Sequence, residues 1–279
     1  MFDLILATVD RVYCVEKLFS SLATQKSKDF RVVIIDQNDK KTSFALQKIA
    51  KKYRDIFSVK IVSSERGLSR ARNAGLDILK GNMFSLTDDD IFFYDDTLEC
   101  AEKALGQCDI AIGKIVYRNG DFSKGLPEKE KYAKPYRLHF LQEACFQAPS
   151  ATLFFRREVA EALETHFPEH IGAGTSSPYG SGAETDFLIR AMKKGFRVER
   201  HGEIQVIHPE MELAGAVNLT KARRYGLGRY RLIKKYRLGF WFLLLNAAQP
   251  LFRMLRKPLN KAHRQFQWQV FLGRIGRHI

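Results

Sequence analysis

Short apolar runs alternate with amphipathic segments through the first part of the chain, and this alternation limits the possible folds more than any other feature. Residues 4–8, 31–36, 59–62 and 83–87 read as strands. Each is too short for a helix, and Val32-Val33-Ile34-Ile35 has the unbroken apolar character of a strand covered on both faces. Between them, 15–25 places Leu18, Phe19 and Leu22 on one helical face, 43–53 forms a second helix, and 68–79 a third that Gly81 can end. Repeated strand–helix–strand units predict an α/β fold with a mostly parallel sheet flanked by helices. Further strands are expected at 110–117, 152–155 and 204–207, a helix at 184–194, and loops at 118–137 and 172–182.

Sheets of this kind bind ligands at the carboxyl ends of their strands, so the residues just after each run carry the chemical argument. Thr8 and Arg11 follow the first run, Asp36 the second, Arg66-Gly67 the third and Asp88-Asp89-Asp90 the fourth. Three adjacent carboxylates repel one another, and a hard cation such as Mg²⁺ or Mn²⁺ would neutralise them; an acidic turn capping the next helix is the other reading. Asp36 can accept hydrogen bonds from a base or a ribose, or it can belong to a turn built with Asn38 and Asp39. The segment 67–75 opens a helix with Arg70 and Arg72 and the small residues Ala71, Ala74 and Gly75. Helix amides plus a guanidinium suit a diphosphate, while an ordinary packed helix with two surface arginines accounts for the same pattern.

Glu184 and Asp186 begin a helix after the Gly-rich loop. Either carboxylate could take a proton from an attacking hydroxyl, and the helix dipole alone would also favour acids there. His208 could complete a metal shell or serve the strand end structurally. No glycine fingerprint follows the first strand, so a dinucleotide site is excluded, and neither a Walker A lysine motif nor a nucleophile elbow is present. A sugar-nucleotide-forming nucleotidyltransferase would need a Gly-rich, Arg-containing loop at that same place.

Charge divides the chain. From 213 to 279 there are fifteen Lys and Arg and no Asp or Glu; the remaining 31 basic residues equal the 31 acidic ones. A tail of this kind seeks a polyanion, either an anionic lipid surface or, in a nucleic-acid-binding alternative, DNA or RNA. Its block 240–245 is apolar, but Asn246, Gln249 and Pro250 interrupt it before it could span a bilayer, so an interfacial helix is predicted, with a helix packed on the rest of the protein as the other reading. The start of the chain lacks the basic n-region of a signal peptide, and the four cysteines have no CxxC spacing, which predicts a reducing, cytoplasmic setting.

Taken in order, Ala7-Thr8-Val9-Asp10-Arg11, Ile35-Asp36-Gln37-Asn38, the 67–75 segment with Ala71-Arg72-Asn73, and Thr87-Asp88-Asp89-Asp90 resemble the motifs of the family-2 glycosyltransferases. Gly182-Ala183-Glu184-Thr185-Asp186-Phe187 resembles that family's acidic motif, although many relatives carry two acids where this chain has Ala183-Glu184. The resemblance covers about residues 2–208 and implies a GT-A fold. It further implies that Thr8, Arg11, Asp36, Arg72, Asp88 and Asp89 bind a nucleoside-diphosphate sugar, with Asp36 facing a base expected to be uridine. Mn²⁺ or Mg²⁺ would sit on Asp88 and Asp90, with His208 completing the shell. Glu184 would be the catalytic base and Asp186 the second choice. The processive enzymes' Gln-x-x-Arg-Trp motif is absent, which implies addition of one sugar to a saccharide or lipid-linked saccharide. The expected organisation is a catalytic domain over 1–212 and a basic helical tail over 213–279, placed on the inner face of a membrane and not on nucleic acid.

Overall fold

The computed structural model describes residues 1–120, 122, 125–147, 149–210, 219–256 and 260–278. In the first part, β1 (Phe2–Thr8), α1 (Val12–Ala23), β2 (Phe30–Asp36), α2 (Lys40–Tyr53), β3 (Ser58–Ser63), α3 (Leu68–Leu76) and β4 (Met83–Thr87) follow in turn. Their strands lie in the order β3-β2-β1-β4, all parallel. Then come β5 (Phe92–Phe93), α4 (Thr97–Leu105), β6 (Ile110–Tyr117), β7 (Tyr136–Arg137), α5 (Leu141–Gln147), β8 (Leu153–Arg156), α6 (Arg157–Glu161), α7 (Ala183–Lys193) and β9 (Val198–His208). Parallel pairing runs through the first four strands and returns between β6 and β9. β8 runs antiparallel between β4 and β6, and β5 and β7 pair antiparallel with β9, so the sheet as a whole is mixed.

The side-chain alternation of the strands sorts the core into two layers. Leu4, Leu6, Val32 and Ile34 meet Leu18 and Phe19 of α1, Leu46 of α2 and Leu98 of α4 on one face. Ile5, Val33, Ile35 and Leu86 meet Leu76 of α3 and Phe187 and Leu188 of α7 on the other. Each such buried side chain contributes about 1.5–3 kcal/mol, so the parallel half is anchored twice over. Gly75 belongs to this packing. A Cβ there would lie 2.4 Å from Ile5 Cγ2, so its smallness brings α3 down onto β1 and is not spent on a ligand.

The expected domain boundary at 212/213 falls outside the described residues, but the helices beyond it are not a detached tail. They are α8 (Leu219–Lys235), α9 (Phe240–Arg256) and α10 (Lys261–Arg274). Ile233 and Leu238 join the same core layer as α3 and α7. Several tail cations are used inside the protein: Arg224 donates to Ser177 O at 2.6 Å, Arg223 to Gln269 Oε1 at 2.8 Å, and Lys235 to Asp186. Packing therefore accounts for part of the basic excess.

Two glycines inside α8 would each cost about 1 kcal/mol in a free helix. Here they permit contact, since a Cβ on Gly228 would come within 2.2 Å of Ser181 O, just before α7. Gly228→Ala is therefore expected to lower stability by about 1–3 kcal/mol, read as a fall in the denaturant midpoint. An unchanged midpoint would mean that α8 does not press on that loop.

α9 continues through Pro250, where the apolar run of the sequence is interrupted. Proline has no N–H, so the carbonyl four residues back, Asn246 O, loses its helix donor. Arg274 of α10 supplies one, donating to Asn246 O at 2.6 Å and to Gln249 Oε1 at 2.8 Å.

Candidate active site

β1, β2 and β4 end side by side, and the polar residues at their carboxyl ends converge on one crevice. Thr8 donates from Oγ1 to Asp89 Oδ2 at 2.9 Å, tying the end of β1 to the turn after β4. Arg11 pairs with Asp89 Oδ1 at 2.9 Å and with Asp90 Oδ2. Burial works against the Arg11 charge, but the bond to Asp90 and the charges of Asp89 and Asp90 outweigh it and hold the guanidinium protonated. Asp89 itself is buried, which pushes its carboxyl up to about 6 despite Arg11 and Thr8.

The two flanking carboxylates keep 31% and 19% exposure at Asp88 and Asp90, so it is these that face the crevice. Asp88 is pushed above the ordinary carboxylate range by burial, with Glu184 and Asp90 adding to the shift and Arg72 opposing it. Ser150 Oγ donates to Asp88 Oδ2 at 3.0 Å. Sequence reasoning had passed over Ser150, since nothing in Ala148-Pro149-Ser150 marks a partner for a residue so far back in the chain.

Asp36 ends β2, is buried, and does what the turn reading expected: its Oδ1 accepts from Asn38 N at 3.0 Å and Asn38 Nδ2 at 2.7 Å. Asn38 in turn accepts from Asp10 N, so the loops after β1 and β2 are fastened to each other. The carboxylate lies beside Thr8 in the sheet register, at the mouth of the same crevice.

Arg72 is no surface arginine. It is buried on α3, its guanidinium lies 5.6 Å from the Phe167 ring centroid, Nη1 donates to Glu184 Oε1 at 2.6 Å, and Nη2 is 3.9 Å from Asp88 Oδ1. One cation thus links the carboxylate at the start of α7 to the one at the end of β4.

Asp186 goes elsewhere. Residues two apart on a helix point about 200° apart, so Glu184 and Asp186 cannot face the same crevice. Asp186 is fully buried and accepts from Arg190 Nε at 2.9 Å, Tyr236 Oη at 2.8 Å and Lys235. Burial alone would raise its pKa, but the bonds from Lys235 and Tyr236 lower it. Its role in the structure is to pin α8 to α7.

His208 Nδ1 lies 2.7 Å from Pro209 O. A carbonyl only accepts, so Nδ1 carries a proton and Nε2 is the ring nitrogen turned to the crevice. Nε2 lies 3.4 Å from Asp90 Oδ1. An imidazole nitrogen and a carboxylate oxygen this close are a donor pair that a divalent ion accepts, while Asp88 is not within the same short distance of both. A second group, Cys108, Glu199 and His201, also comes together inside the protein. Its imidazole uses both nitrogens, on Glu199 at 3.1 Å and Glu203 at 3.0 Å, and burial pushes the Cys108 thiol up to about 12. A protonated thiol and a fully bonded ring make this a structural cluster. The alternation 199, 201, 203 along one face of β9 was its only trace in the sequence.

The model for glycosyl transferase family 2 matches residues 3–164, more than half of the chain. The chain belongs to this family. As a family-2 glycosyltransferase it uses nucleotide sugars. The matched span takes in Thr8, Asp36, Arg72 and the three aspartates after β4, and it stops before Glu184 and His208. Among solved structures, the mannosyltransferase PcManGT from Pyrobaculum calidifontis, in complex with GDP-Man and Mn²⁺, is similar with a TM-score of 0.68 and 17% identity over 98% of this chain and 86% of that one. TarS 1-349 from S. aureus follows at 0.60 and 17%, over 99% and 92%. At these identities the likeness establishes the fold, which is GT-A. No curated protein sequence matches the chain.

Proposed function

We propose that this glycosyltransferase moves a single sugar from a UDP-sugar to a hydroxyl of a saccharide or lipid-linked saccharide, inverting the anomeric centre, at the cytoplasmic face of a membrane. The observation that carries this reading is the Arg72 bridge. It sets Glu184 at the opening of α7 within reach of Asp88 at the end of β4, so a proton acceptor and the candidate diphosphate site share one crevice.

In this reading, Asp36 and Thr8 receive the nucleoside, and Arg11 holds Asp89 and Asp90 in place. Asp90, His208 and Asp88 would hold Mn²⁺ or Mg²⁺, which when bound supplies positive charge to offset that growing on the departing diphosphate. Glu184 takes the proton of the acceptor hydroxyl as that oxygen bonds to the anomeric carbon. The bond from that carbon to the diphosphate breaks, and the nucleoside diphosphate leaves with the electron pair from the opposite face. Arg72 keeps the Glu184 carboxylate aimed at the crevice. A metal and a nucleotide sugar are bound by PcManGT, and UDP and UDP-GlcNAc by TarS, which supports the donor class proposed here.

Calorimetry with UDP, GDP, CDP and ADP, with and without Mn²⁺, tests the donor site directly. UDP is expected to bind best and to need the ion. Equal affinity for all four, or binding indifferent to metal, would remove the proposal. His208→Ala and Asp90→Asn are each expected to weaken Mn²⁺-dependent UDP binding at least about tenfold, by loss of a ligand. Full affinity in both variants would move the ion away from the end of β9.

A further inference from the structure

One face of α9 is apolar and uncharged along its whole length, and it is bare. At 100° per residue, Phe240, Trp241, Leu244, Leu245, Phe252 and Leu255 fall within an arc of about 140°. Exposure reaches 75% at Trp241, 71% at Leu245, 66% at Phe252 and 74% at Leu255, while Asn246, Ala247 and Pro250 on the far side are buried. Scattered apolar residues are ordinary on a protein surface; a continuous stripe marks a docking face.

We propose that this stripe is seated in the headgroup–acyl boundary of an anionic bilayer, with α9 lying parallel to the surface. Length argues for lying and against crossing: at 17 residues α9 is about 25 Å long. Among the described residues, no helix is long and apolar enough to cross a membrane. Composition argues the same way, since Trp, Phe and Leu on one face with Lys and Arg around them are the make-up of helices that lie in the water–lipid boundary.

Charge selects the occupant. Arg237, Arg253, Lys261 and Arg264 are exposed at the two ends of α9 and the start of α10, and no Asp or Glu occurs from 213 to 279. Arg274, behind the stripe, is brought down to about 9 by burial and by the charges of Arg229 and Arg253. An anionic surface supplies the counter-charge that the chain does not. A second copy of the chain would instead bring two such tails together, with like charges opposed.

Another side of α9 packs against α5, which precedes a residue of the crevice. Phe242 of α9 packs edge-on against Phe146 of α5 at 5.7 Å, and the chain from α5 leads on to Ser150, which holds Asp88. Seating does not depend on the transfer reading. If both hold, an acceptor anchored in the same bilayer lies on the surface that α9 occupies.

The test is sedimentation of the full chain with phosphatidylcholine vesicles that contain or lack phosphatidylglycerol, at low and high salt, with no donor present. This separates a failure of docking from a failure of the transfer reading. Binding to the anionic vesicles is expected. In a Trp268→Phe background, Trp241 emission should shift to the blue and be quenched by lipids brominated on their acyl chains. Leu245→Asp combined with Phe252→Asp changes two exposed positions, so the melting midpoint should stay in place while vesicle affinity falls at least about a hundredfold. Three results would overturn the proposal. One is no binding to anionic vesicles at low salt; another is full binding by the double variant with Trp241 unquenched, which means adsorption by charge alone. The third is a dimer that the double variant abolishes while vesicles are ignored, which assigns the stripe to a second copy.

Discussion

Glu184→Gln is expected to slow sugar transfer by about 10²–10⁴-fold while leaving UDP affinity within about twofold of the parent. Glutamine keeps the size of the side chain and still offers Oε1 to Arg72 Nη1, so the link between α3 and α7 survives the change. What it lacks is a basic oxygen for the acceptor proton. Single-turnover transfer measured beside calorimetry separates the two effects. Parent-like turnover would remove Glu184 from the chemistry, and a matching loss of UDP binding would mean that the variant had disturbed the crevice and not the proton transfer.

Asp186→Ala is expected to act on stability, by about 1–3 kcal/mol, because it removes the buried carboxylate that accepts from Arg190, Tyr236 and the partly exposed Lys235. That corresponds to a melting midpoint lower by on the order of 5 °C. The pH dependence has a defined sign. Asp186 has a lowered pKa in the folded protein, so its contribution is complete above the unfolded carboxylate value of about 3.9 and is lost as pH falls through the lower, folded value. Unfolding curves of the parent and of Asp186→Asn should therefore draw together at the acid end. If Asp186→Asn melts like the parent yet transfers no sugar, the carboxylate belongs to catalysis and the two acids of α7 exchange roles.

The parallel half of the fold was legible because strands covered on both faces read as unbroken apolar runs, and β1, β2 and β4 match those runs to within two residues at either end. The direction of β8 was not. Leu153-Phe154-Phe155 is buried whichever way it runs, so its sequence holds no signal for antiparallel pairing. The strand-end rule located Thr8, Asp36 and the aspartates after β4, but it could not say which carboxylates face the crevice and which hold the turn. Asp89 turned inward to Thr8 and Arg11 only because strands distant in sequence meet there. For Glu184 and Asp186, the spacing of two already excluded a shared face, whereas the choice between them depended on where α8 docks. Gly75 was misleading because glycine signals close approach without saying whether a ligand or another part of the protein approaches.

The gap that Pro250 leaves in α9 has a bearing on how the protein is made. Synthesis proceeds from the N-terminus, so the Asn246 carbonyl stays without its donor until Arg274 has emerged and α10 has folded back. Before that moment α9 lacks a bond at its midpoint and is less stable than its apolar content suggests. α9 and α10 therefore mature as one unit, and the greasy ridge takes its final form only when α10 has come to lie behind it.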